Sequence, residues 1–316
     1  MRFSVIIPLY NKALYVRKSL ESVFNQTFDD YELVVVDDGS RDDSFRVAQE
    51  VLMYSPVGYQ LIHQENAGVS TARNRGVSLS HGDYICFLDA DDWWESSFLE
   101  EMDALIHDFP GAGLYGTSYR VVDNKANKTR IASIGVEEGF QSGYIDYFKV
   151  YSTGFYMPIW TGAACVPRQI FDAVHGFNPA LKMSEDFDLW VRIAMGNKVA
   201  LLNTPLSNYN QDVNAATRAI GALPPPETQF AFCADYLRQA KEHDAELKYT
   251  VEMVQIVCLR DYYLSRAYYS QAKEVLATLD IEAHKTELYA KYLFRPYWVV
   301  LLKERLYGVL NRWMRS

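Results

Sequence analysis

Three acidic groups in this chain have spacings that could do chemistry. Asp89-Ala90-Asp91-Asp92 directly follows an apolar run at residues 84–88. Two carboxylates two residues apart at a strand end, with Asp92 beside them, make a hard-oxygen site. Such a site suits Mg²⁺ or Mn²⁺, with the other ligands supplied by water or phosphate. Asp37-Asp38-Gly39-Ser40 follows the apolar run 33–36. It reads either as a turn that caps the next helix or as an acceptor for a base N–H or a ribose hydroxyl. Glu185-Asp186 precedes a helical run at 187–195, where a carboxylate caps the helix or acts as a general base. Each group taken alone is equally at home in a cap or a turn.

The elements that must position these groups follow from the surrounding pattern. Residues 4–8 form a short buried strand ended by Pro8. Residues 12–26 place Leu14, Leu20, Val23 and Phe24 mostly on one helical face. Strands over 32–36, 59–63 and 83–88 alternate with helices over 42–53, 69–79 and 95–109. That order predicts parallel strands joined by crossover helices, an open α/β sheet covered on both faces. Ligands then bind beyond the carboxyl ends of the strands, where two of the acidic groups lie. From residue 111 the rhythm is mixed, with strands over 114–122 and 198–202 and a helix over 186–195. Pro224-Pro225-Pro226 breaks the chain, and residues 228–314 read as helical. Within that stretch Tyr263, Ala267, Tyr268, Ala272 and Leu276 suggest a helical hairpin. The expected organisation is an α/β domain over 1–222 and a helical region over 223–316.

Composition narrows the function classes. The 316 residues are 49% hydrophobic and 22% charged, which excludes global disorder, and a net charge of −9 argues against a duplex nucleic-acid binder. Cys86, Cys165, Cys233 and Cys258 show no C-x-x-C spacing, and the six histidines show no metal-binding spacing. Walker and Gly-x-Ser-x-Gly motifs are missing, so kinase and hydrolase readings lose support. The amino terminus lacks a signal-peptide pattern, and no run of about 18 apolar residues predicts a membrane span. Charge is uneven, however. In residues 291–316, Lys291, Arg295, Lys303, Arg305, Arg312 and Arg315 oppose only Glu304, giving +5 and leaving −14 for the rest. This basic, Trp-containing amphipathic tail suits an anionic membrane surface, or else docks on its own domain or a partner subunit.

Taken together, the blocks carry a specific resemblance. SVIIPLYN at 4–11, SVFNQTF at 22–28, ELVVVDDGS at 32–40, NAGVSTARNRG at 66–76 and GDYICFLDADD at 82–92 are followed by Gly176-Phe177 and SEDFDLWVR at 184–192. In order and spacing, across residues 3–215, they resemble glycosyltransferase family 2. The resemblance implies a GT-A fold, a Rossmann-like mixed sheet with helices on both faces, here with a helical C-terminal region appended. It also implies an inverting hexosyl- or N-acetylhexosaminyl-transferase with a UDP-linked donor and Mn²⁺ or Mg²⁺. The acceptor would be a glycan or lipid-linked glycan of a surface polysaccharide, handled in the cytoplasm or on the inner membrane face, and an oligomer is compatible.

Roles then follow by matched position. Pro8 and Tyr10 line the base end of the donor pocket. Asp38 accepts from the base imide N–H. Arg73 approaches the base or diphosphate, Asp89 holds the ribose, Ala90 belongs to the same donor stretch, and Asp91 binds the metal. Asn66, Asp37 and Gly68 support the donor site, and Ala72 packs. Asp186 is the general base and Glu185 its neighbour. Trp190 and Arg192 are structural. Trp160, Thr161 and Gly162 approach the acceptor or the donor sugar. One stretch departs from the family pattern: Tyr209-Asn210-Gln211-Asp212 stands where many members have Tyr-Arg-x-His, leaving Asp212 as an oxygen ligand in place of His. Two alternatives compete with the transferase, a non-catalytic nucleotide-sugar-binding or scaffolding member of the same fold and a nucleotidyltransferase. The retained Asp38, Asp89, Asp91 and Asp186 disfavour the first. The absence of a Gly-rich phosphate loop near the amino terminus disfavours the second.

Overall fold

A computed structural model describes residues 1–123, 125–153, 157–211, 223–239, 244–280, 283–284, 298–300 and 302. The chain divides into two compact units, Met1–Gly221 and Ala222–Ser316. In the first unit the alternation runs β1 (Phe3–Leu9), α1 (Val16–Phe24), β2 (Tyr31–Asp37), α2 (Ser44–Leu52), β3 (Tyr59–His63), α3 (Val69–Ser78) and β4 (Tyr84–Phe87). These four strands are parallel in the order β3-β2-β1-β4. The apolar runs of β1 and β2 are buried almost throughout, as strands covered on both faces require. The order changes direction between β1 and β4, which opens a crevice at their carboxyl ends.

Beyond β4 come β5 (Trp93–Trp94), α4 (Phe98–Asp108), β6 (Ala112–Asp123), β7 (Lys128–Ile131), β8 (Ser142–Ile145) and α5 (Tyr147–Thr153). A 3₁₀ turn at Thr161–Ala163 leads into β9 (Ala164–Pro167), α6 (Arg168–Ala173), α7 (Glu185–Ala194) and β10 (Lys198–Asn210). Here the sheet stops being parallel. β9 runs antiparallel to both β4 and β6, β10 is parallel to β6, and β5 and β8 pair antiparallel with β10. The early strands are parallel as their alternation predicts, and the sheet as a whole is the mixed one the resemblance implies, since β9 enters through the 3₁₀ turn instead of a crossover helix.

Two boundaries also shift. Helix α1 begins at Val16, and Leu14 is 88% exposed, so its place on the helical face is corrected; Val16, Leu20 and Val23 form that face. The loop before α1 turns through Asn11 at φ 52° and is stitched to the end of β2 instead. There Asn11 and Lys12 donate backbone N–H groups to Ser40 Oγ and Ser44 Oγ. Strand β10 continues to Asn210, eight residues past the expected 202, through register shifts around Pro205 that interrupt its apolar pattern.

The second unit is helical: α8 (Pro226–Gln229), α9 (Ala231–Gln239), α10 (Ala245–Leu264) and α11 (Tyr269–Ala277). Asp244 caps α10 by accepting the Leu247 N–H at 2.9 Å. Helices α10 and α11 form the expected hairpin, with the rings of Tyr263 and Tyr269 5.0 Å apart and those of Tyr262 and Tyr268 5.8 Å apart. Most of the basic tail lies outside the described residues.

Candidate active site

The two aspartates at the end of β2 have opposite surroundings. Asp38 Oδ1 accepts from Gln64 Nε2 at 2.6 Å and Ala67 N at 2.8 Å. Its Oδ2 accepts from Gly68 N at 2.8 Å and Asn66 Nδ2 at 3.2 Å. A carboxylate offers about four acceptor positions, so those of Asp38 are filled from within the chain. Its effect is to fix the turn leading into α3, where Gly68 takes φ 93°. The base contact expected of Asp38 is corrected on that ground: it is a positioning group. Asp37 is completely buried. His63 Nδ1 lies 2.6 Å from its Oδ2, and the Ser40 N–H approaches the same oxygen at 3.4 Å. Asp37 Oδ1 has no hydrogen-bond partner among the described residues. Pro8 and Tyr10 are half-buried at and just past the neighbouring end of β1.

The acidic stretch after β4 divides similarly. Asp91 Oδ2 accepts from Lys12 Nζ at 2.6 Å. Asp89 Oδ1 accepts from Arg73 Nη2 at 2.7 Å. Asp92 is buried, accepting from Asn210 N at 2.8 Å and Trp160 Nε1 at 3.1 Å. Its expected share in a metal site is therefore corrected, because both oxygens hold protein groups. Ala90 is also buried, its methyl in the core beside Leu88 and Trp94, so no side-chain contact with a donor is available to it. Burial raises the pKa of Asp91, with Lys12 pulling it down and Asp89 pushing it up. Burial and then repulsion by Asp91 and Asp89 raise that of Asp92 well above the usual range.

A hard divalent cation fits this crowding. Asp91 and Asp89 offer oxygen donors whose repulsion a cation relieves, and a cavity of about 290 Å³ lined by Lys18, Trp93 and Asn210 adjoins Asp91. Among the described residues no group of three or more His, Cys, Asp or Glu could hold a metal by itself. Asp212 lies outside the described residues.

Arg73 on α3 joins this cluster to α7. Its guanidinium is 3% exposed and donates to Asp89 and, at 2.9 Å, to Glu185 Oε1. Burial works against its charge, but Asp89 and Glu185 hold it protonated. Asp186, in the first turn of α7 after Ser184 at φ 59°, accepts the Phe187 N–H at 2.7 Å and the Thr161 hydroxyl at 3.1 Å. Burial and the neighbouring Glu185 raise its pKa to about 6, against the pull of Arg73. A carboxylate in that range can hold a proton and release it near neutral pH.

Of the three residues expected on the acceptor side, only Trp160 is partly exposed, its ring 4.4 Å from that of Tyr209. Thr161 is buried and acts on Asp186. Gly162 is buried too, its carbonyl accepting from Trp94 Nε1 at 2.6 Å, so direct approach to an acceptor is corrected for both. Arg192 binds Asp188 and the carbonyls of Val174 and Gly176, and Trp190 is core. Sequence reasoning missed Lys12 and His63. Lys12 is 79 residues from Asp91, and only the β1–β4 pairing brings them together. For His63 a signal existed in its place at the end of β3, beside the end of β2.

Comparison with known proteins gives a consistent result. The model of the family described as glycosyl transferase family 2 matches residues 4–164, half of the chain. AmsB, an amylovoran biosynthesis glycosyltransferase of Erwinia amylovora, is 29% identical over 218 residues, 66% of this chain and 69% of AmsB. Glycosyltransferase GlyA of Streptococcus pneumoniae is 38% identical over 120 residues, 37% of this chain. The match spans only 17% of GlyA and 28% of EpsH from Bacillus subtilis. Among solved structures, residues 1–349 of S. aureus TarS in complex with UDP-GlcNAc superpose with a TM-score of 0.68 at 17% identity, covering 90% of this chain and 83% of that one. The mannosyltransferase PcManGT of Pyrobaculum calidifontis, in complex with GDP-Man and Mn²⁺, gives 0.57 at 17% identity, covering 98% and 80%.

Proposed function

As the chain belongs to glycosyl transferase family 2 and has the GT-A fold, we propose that it is an inverting transferase, moving a sugar from a UDP-linked donor to a glycan or lipid-linked glycan during surface polysaccharide synthesis. The observation that carries this reading is Asp186, a buried carboxylate with a pKa near 6, linked through Glu185 and Arg73 to the carboxylate of Asp89. That chain of contacts supports reading Asp186 as the general base, next to the proposed donor site.

In the proposed mechanism the base docks beyond the ends of β1 and β2, where Pro8 and Tyr10 border it. Asp89 takes the ribose hydroxyls, and Asn66 holds the loop beside them. Mn²⁺ or Mg²⁺ bound at Asp91, with Asp212 as a further oxygen ligand, would neutralise charge on the leaving diphosphate. Trp160 offers its ring to the acceptor. Asp186 removes the acceptor hydroxyl proton as that oxygen attacks the anomeric carbon from the face opposite the diphosphate. Thr161 and the Phe187 N–H keep its carboxylate aimed.

No described helix is long and apolar enough to cross a membrane. The basic tail at 291–316 would instead hold the enzyme on an anionic inner surface, near a lipid-linked acceptor.

The test is nucleoside diphosphate release from a panel of nucleotide sugars with Mn²⁺. Asp186→Asn should lower kcat by about 10²- to 10⁴-fold while UDP binding persists. Asp186 is active when deprotonated, so the wild-type rate should fall about tenfold per unit below pH 6 and level off above it. Retained turnover in Asp186→Asn would overturn the assignment.

A further inference from the structure

We infer that Glu185 and Arg73 are positioning residues for proton removal by Asp186: one negative and one positive charge, locked to each other, stand at fixed places beside its carboxyl. The inference rests on the proposed role of Asp186 as general base and adds what tunes it. Glu185 and Asp186 open helix α7, so chain connectivity keeps the two acids together. Arg73 comes from α3, 112 residues earlier, and its Nη1 donates to Glu185 Oε1 at 2.9 Å. Its Nη2 donates to Asp89 Oδ1 at 2.7 Å. The arginine side chain is 3% exposed and that of Glu185 15%. The guanidinium is a rigid fork. With one prong on each carboxylate, it fixes Glu185 relative to the acidic stretch after β4. The Phe177 ring, 5.0 Å from the guanidinium carbon, restrains the fork further.

The two charges act on Asp186 in opposite directions. An ionised Glu185 disfavours a second negative charge beside it, and Arg73 favours one. Burial works in the same direction as Glu185, and the balance leaves Asp186 at about 6. The other neighbours carry no charge to set against it. Thr161 and the Phe187 N–H are neutral donors. Tyr147 on α5 is a titratable group near Asp186, and burial keeps its phenol protonated. Asp188, on the same helix, is engaged by Arg192. A general base has to be ionised before the reaction and still hold the proton it takes, so its best pKa lies near the working pH. Because the fork also grips Asp89, proposed to take the ribose, one contact sets both the charge around the base and its place relative to the donor.

The experiment records kcat against pH in the full chain, with saturating UDP-sugar and Mn²⁺, for wild type, Asp186→Asn, Glu185→Gln, Arg73→Met and Arg73→Lys. UDP binding by calorimetry and melting temperature are measured alongside. Glu185→Gln keeps the shape and an oxygen for Arg73 while removing the charge. It should weaken the proton affinity of Asp186 about tenfold and move the acid limb down by about one pH unit, with UDP binding near wild type. Arg73→Met should move the limb up by a similar step. Arg73→Lys restores the charge without the fork and should return the limb most of the way. Opposite shifts from the two partners of one ion pair are the expected result; a mere strut between α3 and α7 would change the melting temperature and leave the limb in place. If Asp186→Asn is inactive while Glu185→Gln keeps the wild-type limb, the inference falls and the base assignment stands. If Asp186→Asn keeps its turnover, the base itself is misassigned and the inference falls with it. A Glu185→Gln enzyme that binds UDP but is inactive at every pH makes Glu185 a catalytic group, which also overturns the inference. Where one of Glu185→Gln and Arg73→Met fails to fold, the direction of the other's limb decides.

Discussion

The ends of β2 and β4 each carry adjacent aspartates, and the two sites divide the labour in the same order. At β2 the second residue, Asp38, is filled by four internal donors, and the first, Asp37, is buried with Oδ1 unpaired among the described residues. After β4 the second residue, Asp92, holds the Asn210 N–H and the Trp160 indole, while the first, Asp91, holds a lysine ammonium. At the end of β2 the backbone is extended, and neighbouring side chains there point to opposite sides. Asp91 and Asp92 reach the same split by another route, in the turn after β4 where the Asp92 N–H bonds back to the Asp89 carbonyl at 3.0 Å. The sites differ in their surroundings. Asp37 has hydrogen-bond donors around it, whereas burial and mutual repulsion among Asp89, Asp91 and Asp92 push the pKa values of Asp91 and Asp92 up. One pair is thus held by the chain's own donors, and the other is suited to a cation.

The strongest way to break this comparison is at β4. Asp91→Ala should cost at least about 10²-fold in kcat/KM with Mn²⁺, because cation stabilisation of a leaving diphosphate is worth several kcal/mol. Its melting temperature should stay near that of wild type. Asp92→Ala should show the reverse emphasis, removing the carboxylate that accepts from the Asn210 N–H and Trp160 Nε1 and lowering the melting temperature. If Asp91→Ala unfolded the protein and Asp92→Ala only lost metal response, the division of roles would be inverted.

The β2 pair gives a smaller, purely energetic version. Asp38→Asn places an amide NH₂ against backbone N–H groups of Ala67 and Gly68 and should cost about 2–3 kcal/mol in urea unfolding. Asp37→Asn should cost less than about 1 kcal/mol, since one oxygen of the carboxylate has no donor to lose. Equal losses would mean that the two aspartates share one structural role.

Much of this was legible in the chain itself. The apolar runs at 5–7 and 33–36, rich in β-branched residues, marked strands buried on both faces, and the motif blocks put the acidic groups at their ends. The split within each pair was not legible, because it depends on donors far away in sequence: Gly68 is 30 residues from Asp38, and Asn210 is 118 from Asp92. Strand β9 and the two-residue β5 were hidden for a related reason. Their pairing comes from long-range register and leaves little local periodicity. For Thr161 the motif gave the right neighbourhood, yet only the fold shows that its hydroxyl serves Asp186.

The smallest effect concerns Lys12, whose ammonium sits 2.6 Å from Asp91 with both side chains about 15% exposed. A divalent ion at Asp91 has to compete with that ammonium. Lys12→Met keeps the length of the stem and removes the charge, so Asp91 loses its resident cation. Metal affinity, read by Mn²⁺ titration without nucleotide, should then tighten by about 3- to 10-fold, corresponding to roughly 1 kcal/mol for a partly screened pair. With UDP present the gain should shrink if the displaced ammonium turns to the diphosphate, since the variant forfeits that contact. Weaker Mn²⁺ binding in Lys12→Met without nucleotide would mean that Lys12 orients Asp91 for the metal. The β4 site would then resemble β2, where His63 holds its aspartate in place.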